Sequence, residues 1–497
     1  MNFSAVARAP RCVQLPPADV LRIELLAGLV VALALIPEAI SFSLIAGVDP
    51  KVGLYASFTM AVTIAIAGGR PAMISAATGA MALVIVGLVK DHGVEYLLAA
   101  TIVAGLIQIG LGVLRVPRLM RFVPRSVMTG FVNALAILIF LAQVPHIREG
   151  GALGLVLIAA GLLVIYTVPR VIPSIPSPLV AIVLLTAVVV AGGIDLPNVG
   201  DEGELPNALP ILGIPSVPFT LQTLWTVLPY SATLAAVGLL ESLMTARLVD
   251  DITETRSDKD REARGQGIAN VVTGFFGGMA GCAMIGQTMI NVRVSAARTR
   301  ISTFSAGAFL LALVVGLGSL VAIIPMAALV AVMILVSVST FDWHSIAPKT
   351  LKRMPTSETI VMGVTVVGTV ATHNLAIGVG AGVLTAMAAF ARKVAHLVDV
   401  ERVLDPDGTA VFYSVKGELF FASDQELVDA FDYPNDPERV LIDFSHAHVW
   451  DASAVAALDA IEQHYSRHGR TVEITGLNRP SAELHETLSG QMAAAHR

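Results

Sequence analysis

Residues 23–47, IELLAGLVVALALIPEAISFSLIAG, decide how the rest of the chain reads. About 20 predominantly apolar residues cross a hydrocarbon core of roughly 30 Å, and this run meets that length. One carboxylate, Glu38, lies well inside it, directly after Pro37. An ionised carboxylate at mid-span costs at least ~2.5 kcal/mol, and such residues usually face a cavity or a partner and take part in transport. Thirteen more apolar segments follow, at about 52–68, 72–89, 95–114, 124–143, 152–168, 177–193, 224–247, 265–280, 285–297, 304–322, 324–340, 357–372 and 375–391. The whole chain is 55% hydrophobic and only 14% charged, where soluble domains carry about 25% charged residues.

Charge placement tests the count of fourteen. With the N-terminus in the cytoplasm and sides alternating, 22 of the 32 Lys and Arg fall on inner segments. Seven more follow residue 400, and only Lys51, Lys90 and Arg148 fall outside. This is the positive-inside bias, and one invented or missed span would scramble it. Fourteen spans divide into seven plus seven, and an odd-numbered repeat duplicated in tandem inserts in opposite orientations. Ala72-Met73-Ile74-Ser75 opens the third span and Ala283-Met284-Ile285-Gly286 the tenth, 211 residues later. Glu38 in the first span and Glu241 in the eighth are 203 residues apart. Gly-rich approaches, Gly68-Gly69 and Gly277-Gly278, suggest that spans three and ten start inside the membrane.

After about residue 400 the composition turns water-soluble. Residues 411–415, 439–444 and 471–475 read as strands, 453–464 as an amphipathic helix and 480–495 as a last helix. The expected division is a cytoplasmic tail over 1–20, a transmembrane domain over 21–395 and a small α/β domain over 400–497. The net charge of −6 argues against a nucleic-acid partner. Cys12 and Cys282 are the only cysteines, and neither a disulfide nor a metal cluster is expected. The eleven histidines show no metal-ligand spacing, and His446 and His448 read as solvent-facing. The first 20 residues lack an apolar signal core, so the first span is expected to direct the chain to the membrane.

Three stretches resemble the SulP anion transporter family, the bacterial relatives of prestin and pendrin. The first runs from Leu35-Ile36-Pro37-Glu38-Ala39 through Ala46-Gly47-Val48-Asp49-Pro50 to Gly53-Leu54-Tyr55-Ala56-Ser57-Phe58. The second runs from Ala269-Asn270 through Ile285-Gly286-Gln287-Thr288 to Arg300, and the third pairs Val367-Gly368-Thr369-Val370 with Ile377-Gly378-Val379-Gly380. Ile442-Asp443-Phe444-Ser445 and Asp451 to Leu458 resemble a STAS domain, the fold of anti-sigma-factor antagonists. The resemblance implies a core domain of spans 1–4 and 8–11, a gate domain of spans 5–7 and 12–14, transport by movement of core against gate, and a homodimer. It implies residence in the cell inner membrane with both termini cytoplasmic, and no cofactor.

Two broken helices whose N-termini meet near the midplane form an anion site, because free N–H groups and positive dipole ends face it. The candidate lining is Ser75, Ala76 and Ala77 at the start of span 3 and Gly286, Gln287 and Thr288 at the start of span 10. The plain alternative is that these small and polar residues pack helix on helix. Glu38 and Glu241 are the candidate coupling-ion residues, for a proton or for sodium. A proton on Glu38 and an anion beside it would favour each other, which is coupling for symport. The alternatives are a structural Glu38 and a Glu241 paired with Arg247. Many SulP members carry a basic residue early in span 10. Here residues 287–292 contain none, and Arg293 comes later, which disfavours channel-like chloride conduction. Ser453 matches the serine phosphorylated in the antagonists, against simple capping by Asp451 or Ser453; Ala454 stands where they usually have Gly.

The expected function is secondary active transport of a small anion (sulfate, bicarbonate or a carboxylate such as a dicarboxylate) by proton-coupled symport. Exchange or sodium coupling are alternatives within the same class. A non-transporting membrane sensor acting through the STAS domain is the alternative of another class, and costly mid-membrane carboxylates argue against it. A nucleobase transporter would share the fold and normally lack the STAS tail. Nothing reads as an enzyme, since no phosphate loop or nucleophile elbow is present.

Overall fold

The computed structural model describes residues 17–118, 123–171, 176–395 and 398–489. Cys12, most of the expected tail, Arg121 and the end of the expected last helix lie outside them. The described residues form two compact units divided between Val383 and Leu384.

The first unit opens with α1 (Ala18–Ala46), which ends where Gly47 turns left-handed at φ +75°. A glycine bears that conformation without a Cβ clash. Pro50 begins α2 (Pro50–Ala67), where its missing N–H has no partner to lose. Strand β1 (Ser75–Ala77) follows, then α3 (Gly79–His92), α4 (Val94–Val113), α5 (Arg125–Glu149), α6 (Gly151–Val171) and α7 (Ser177–Ala191). The second half runs α8 (Leu221–Thr253), α9 (Lys259–Phe275), strand β2 (Gly281–Ala283) and α10 (Ile285–Met289), which continues as a π-helical turn over Ile290–Val294. Then come α11 (Arg300–Gly316), α12 (Gly318–Ala322), α13 (Met326–Thr340), α14 (Pro348–Arg353), α15 (Thr356–Thr372) and α16 (Leu375–Ala395), the last crossing the division between the units.

Among the described residues, seven helices are long and apolar enough to cross a membrane, and four more apolar helices have 10–17 residues. The largest departure from the sequence reading lies at segments three and ten. Segment three opens with an extended stretch, segment ten is preceded by one, and the two stretches pair with each other.

α4 and α9 lie so close that their glycines are obligatory. A Cβ on Gly105 would sit 2.5 Å from the Gly267 carbonyl oxygen, and a Cβ on Gly267 would sit 2.5 Å from that of Gly105. Gly105→Leu is therefore expected to force the pair apart, at a cost of about 3 kcal/mol or more. Thermal unfolding of the purified full chain measures this, and an unchanged midpoint would refute the close approach.

The second unit is a four-stranded sheet of β3 (Asp399–Leu404), β4 (Ala410–Leu419), β5 (Arg439–Val449) and β6 (Thr471–Thr475), with α17 (Asp424–Asp429), α18 (Ala452–Arg467) and α19 (Arg479–Leu488). The order is β3-β4-β5-β6, antiparallel at β3–β4 and parallel thereafter. Val440, Ile442 and Phe444 alternate inward on β5, and Val455, Leu458, Ile461 and Tyr465 form the buried stripe of α18. The strands expected near 411, 439 and 471 and the helix near 453 are present. β3 escaped the sequence reading because its residues are nearly all exposed and so carry no apolar alternation.

Asp436 organises this core. Its carboxylate accepts from Arg402 Nε at 3.0 Å and Nη2 at 2.7 Å, from the Tyr413 hydroxyl at 2.7 Å and from the Tyr465 hydroxyl at 2.5 Å. Burial, reinforced by the Asp436 carboxylate, pushes the Tyr465 phenol up. The phenol's contribution is thus complete below the ordinary tyrosine value of about 10 and is lost as pH rises beyond it. Asp436→Ala is expected to cost about 2–3 kcal/mol, since it leaves the buried Tyr413 and Tyr465 hydroxyls without their acceptor, while the exposed Arg402 stays solvated. Denaturant unfolding followed by tyrosine fluorescence checks this.

Candidate functional site

The site is built on the β1–β2 pair. Ser75 lies opposite Ala283, Ala76 opposite Cys282 and Ala77 opposite Gly281. Because the strands are antiparallel, α3 leaves from the Gly281 end and α10 from the Ser75 end. The two helix starts flank a ladder about 10 Å long, at roughly 3.3 Å per residue. The structure thus opposes the two positive helix ends across a strand pair.

Side chains from the surrounding helices hold this pair open-ended and in register. Asn270 on α9 grips the Gly281 backbone from both sides, its Oδ1 accepting from Gly281 N at 2.9 Å and its Nδ2 donating to Gly281 O at 3.0 Å. The same Nδ2 donates to Gln108 Oε1 on α4 at 2.9 Å. Ser242 Oγ accepts from Ala283 N at 3.1 Å, and Ser57 Oγ from Ala77 N at 3.3 Å. Thr78 caps α3, its hydroxyl accepting from Met81 N at 3.4 Å.

The six expected lining residues divide into two groups. Ser75 is fully buried, and its hydroxyl receives Gln266 Nε2 at 2.7 Å. Ala76 and Ala77 are buried in the ladder. Thr288 is fully buried too, and its hydroxyl accepts from Ile74 N at 3.0 Å, tying α10 to the residue before β1. These four residues are engaged in scaffolding. Gly286 differs: it is exposed, and a Cβ added there would meet nothing within 4 Å. Open space therefore adjoins the first turn of α10, where the N–H groups have no intrahelical acceptor. Beside it, Gln287 is only 2% exposed.

Glu38 and Glu241 reach this strand pair from different helices. Gln287 Nε2 donates to Glu38 Oε1 at 2.9 Å, while Gln287 Oε1 is buried without a hydrogen-bond partner. Glu38 thus meets the head of α10 directly. Glu241 on α8 accepts from the Cys282 thiol at 2.9 Å, and that sulfur lies 3.2 Å from the Thr78 hydroxyl that caps α3. Glu241 therefore meets the head of α3 through a thiol, and its hydrogen bond is to Cys282 rather than to Arg247, which is exposed. Arg293 is exposed on the π-helical turn. In the second unit Asp451 Oδ1 accepts from Ala454 N at 3.0 Å, so Asp451 caps α18, and Ser453 is its second residue.

The sequence reading missed Asn270, Gln266, Ser57, Ser242, Thr78 and Cys282 as parts of this site. Their common signal is a hydrogen-bonding side chain inside an otherwise apolar segment, and each makes a bond across to another element. No group of three or more His, Cys, Asp or Glu among the described residues is placed to hold a metal ion.

Comparison with known proteins agrees with this architecture. The model of the sulfate permease family matches residues 21–151 and 150–365, and the STAS domain model matches 402–489. The chain is 54% identical over 464 residues to "Putative sulfate transporter YbaR" of Bacillus subtilis, covering 93% of this chain and 96% of that protein. It is 25% identical over 516 residues to "Bicarbonate transporter BicA" of a Picosynechococcus species, covering 92% of this chain and 88% of that one. The inward-facing structure of murine Slc26a9, an anion transporter, superimposes with a TM-score of 0.81 at 16% identity, covering 95% of this chain and 88% of that one, and so shares the fold. With two thirds of its length matched by the family model, an apolar helical unit built around broken helices and a C-terminal STAS domain, this multi-pass membrane protein belongs to the sulfate permease family of anion transporters.

Proposed function

We propose that the chain is a secondary active transporter that carries a small anion (sulfate, bicarbonate or a dicarboxylate) together with a proton. The observation that carries this reading is the 2.9 Å contact between Gln287 Nε2 and Glu38 Oε1, beside the open turn at Gly286. The anion sits against the first N–H groups of α10, with the start of α3 facing it across the ladder. Gly286 lets it approach the backbone. An ionised Glu38 about 6 Å away would repel it by about 3 kcal/mol at an effective dielectric constant near 20. A proton on Glu38 removes that repulsion and supplies the donor that Gln287 Oε1 lacks. Anion and proton therefore promote each other's binding and cross together.

The transmembrane unit, residues 21–395, follows a seven-plus-seven inverted arrangement of fourteen spans. Its core comprises α1–α4 and α8–α11, which surround the strand pair, and its gate comprises the remaining spans. Each repeat sends its glutamate to the broken helix of the other, Glu38 to α10 and Glu241 toward the cap of α3. The protein resides in the inner membrane as a homodimer, with its tail and the STAS domain of 400–497 cytoplasmic and Ser453 a phosphorylation candidate.

Uptake of labelled sulfate, bicarbonate or succinate by proteoliposomes, with and without an inward proton gradient, tests this. Uptake of one of them faster under the gradient is expected. Flux of all three unaffected by the gradient and dependent on sodium would refute proton symport, and no flux of any would refute transport.

A further inference from the structure

α4 and α9 converge at Gly112, where an added Cβ would lie 2.6 Å from Arg264 Cγ and 3.0 Å from the Asp260 carbonyl oxygen. Just beyond this contact a cavity of about 460 Å³ opens, lined by Gly112, Val113, Arg115, Arg118, Asp260 and Arg264, with Asp258 also on its wall. It is built from the ends of the same two helices whose inner turns carry Gln108, Gln266 and Asn270 to the strand pair.

Its charges are unequally spent. Arg118 Nε donates to Asp260 Oδ2 at 3.1 Å, which balances that pair. Asp258 Oδ1 accepts from Arg261 N at 2.9 Å and caps α9. Arg115 and Arg264 have no carboxylate partner among the described residues, and both are exposed. Three arginines against two aspartates leave the cavity positive. Arg115 also sits at φ +60°, a left-handed conformation that a side-chain-bearing residue holds at a cost.

The surface leading to this cavity is apolar. Leu106, Val113 and Leu114 on or just past α4 and Ile268 on α9 are all exposed. Val113 and Leu114 follow Leu106 by about two helical turns, and Ile268 follows Arg264 by about one, which places each set along one side of its helix. A bilayer covers such a face with acyl chains, and the stripe ends at two unpaired guanidinium groups.

We propose that this cavity holds the phosphate of an anionic phospholipid, whose acyl chains run along Leu106, Val113, Leu114 and Ile268. The guanidinium forks of Arg115 and Arg264 match phosphate oxygens in pairs, and their charge selects a net-negative head group over a zwitterionic one. A free phosphate ion would use the arginines and leave the apolar stripe idle, so the lipid is the occupant that fits both. The bound lipid joins the residues just past α4 to the second turn of α9, the two helices that carry Gln108 and Asn270 to the strand pair.

Titration of the purified full chain with phosphatidylglycerol or phosphatidylcholine, read by native mass spectrometry, tests the proposal. Phosphatidylglycerol is expected to bind at least about tenfold more tightly, a difference of about 1.4 kcal/mol. In Arg115→Gln/Arg264→Gln that preference disappears. Arg264→Lys, which keeps the charge and loses the fork, retains part of it and serves if the double variant does not fold. Inorganic phosphate at millimolar concentration does not displace the lipid. Equal binding of the two lipids, an undiminished preference in both variants, or displacement by phosphate alone would each overturn the assignment.

Discussion

Glu38→Gln is expected to transport its anion at a rate that no longer responds to a proton gradient. In the parent protein the gradient should accelerate uptake by about tenfold to a hundredfold, the range set by roughly 1.4–3 kcal/mol of relieved repulsion. Glutamine at 38 carries no charge to neutralise, so the ratio of uptake with and without the gradient should fall to about one. The variant also keeps the local bonding. Its amide N–H can donate to Gln287 Oε1, the acceptor that has no partner in the parent, as the protonated acid would. Flux without a gradient should therefore survive, and the apparent affinity for the anion should no longer weaken as pH rises. Proteoliposome uptake across a pH series measures both. Gradient acceleration that persists in Glu38→Gln would remove Glu38 from the coupling step.

Asn270→Leu is expected to have the largest effect on the site without touching the anion. Leucine is close to asparagine in size, so packing is nearly kept while all three hydrogen bonds vanish. The Gly281 N–H and the Gln108 carbonyl oxygen are then buried with a partner missing, at about 1–3 kcal/mol for each. β2 loses the grip that positions Cys282 and the head of α10. Uptake should fall more than tenfold, and the thermal midpoint should drop. Asn270→Asp, which keeps the oxygen that accepts from Gly281 N and loses the two N–H donors, gives an intermediate result if the bonds are what matters. Wild-type flux in Asn270→Leu would show that the strand pair holds its register without this side chain.

Glu38 was legible because a carboxylate in an apolar run is costly and conspicuous. Gln287 was legible through its place in a family-like motif at the head of an apolar segment. Ser75 and Thr288 were singled out by the same logic, yet their hydroxyls are engaged with Gln266 and the Ile74 backbone. A small polar residue near a broken helix has the same sequence signature whether it binds a ligand or holds another segment. Cys282 shows the converse: its thiol links Glu241 to the cap of α3, while in sequence it is one apolar residue among others.

The sequence by itself determined the class of fold: apolar runs of bilayer length and an α/β unit after about residue 400 follow from composition and periodicity, which act locally. Tertiary structure alone decided that residues 75–77 and 281–283 are strands. Three extended residues have too few local bonds to specify themselves. Each stretch is extended because the other, some 200 residues away, supplies its backbone partners, and because side chains on α2, α8 and α9 engage the amides left over.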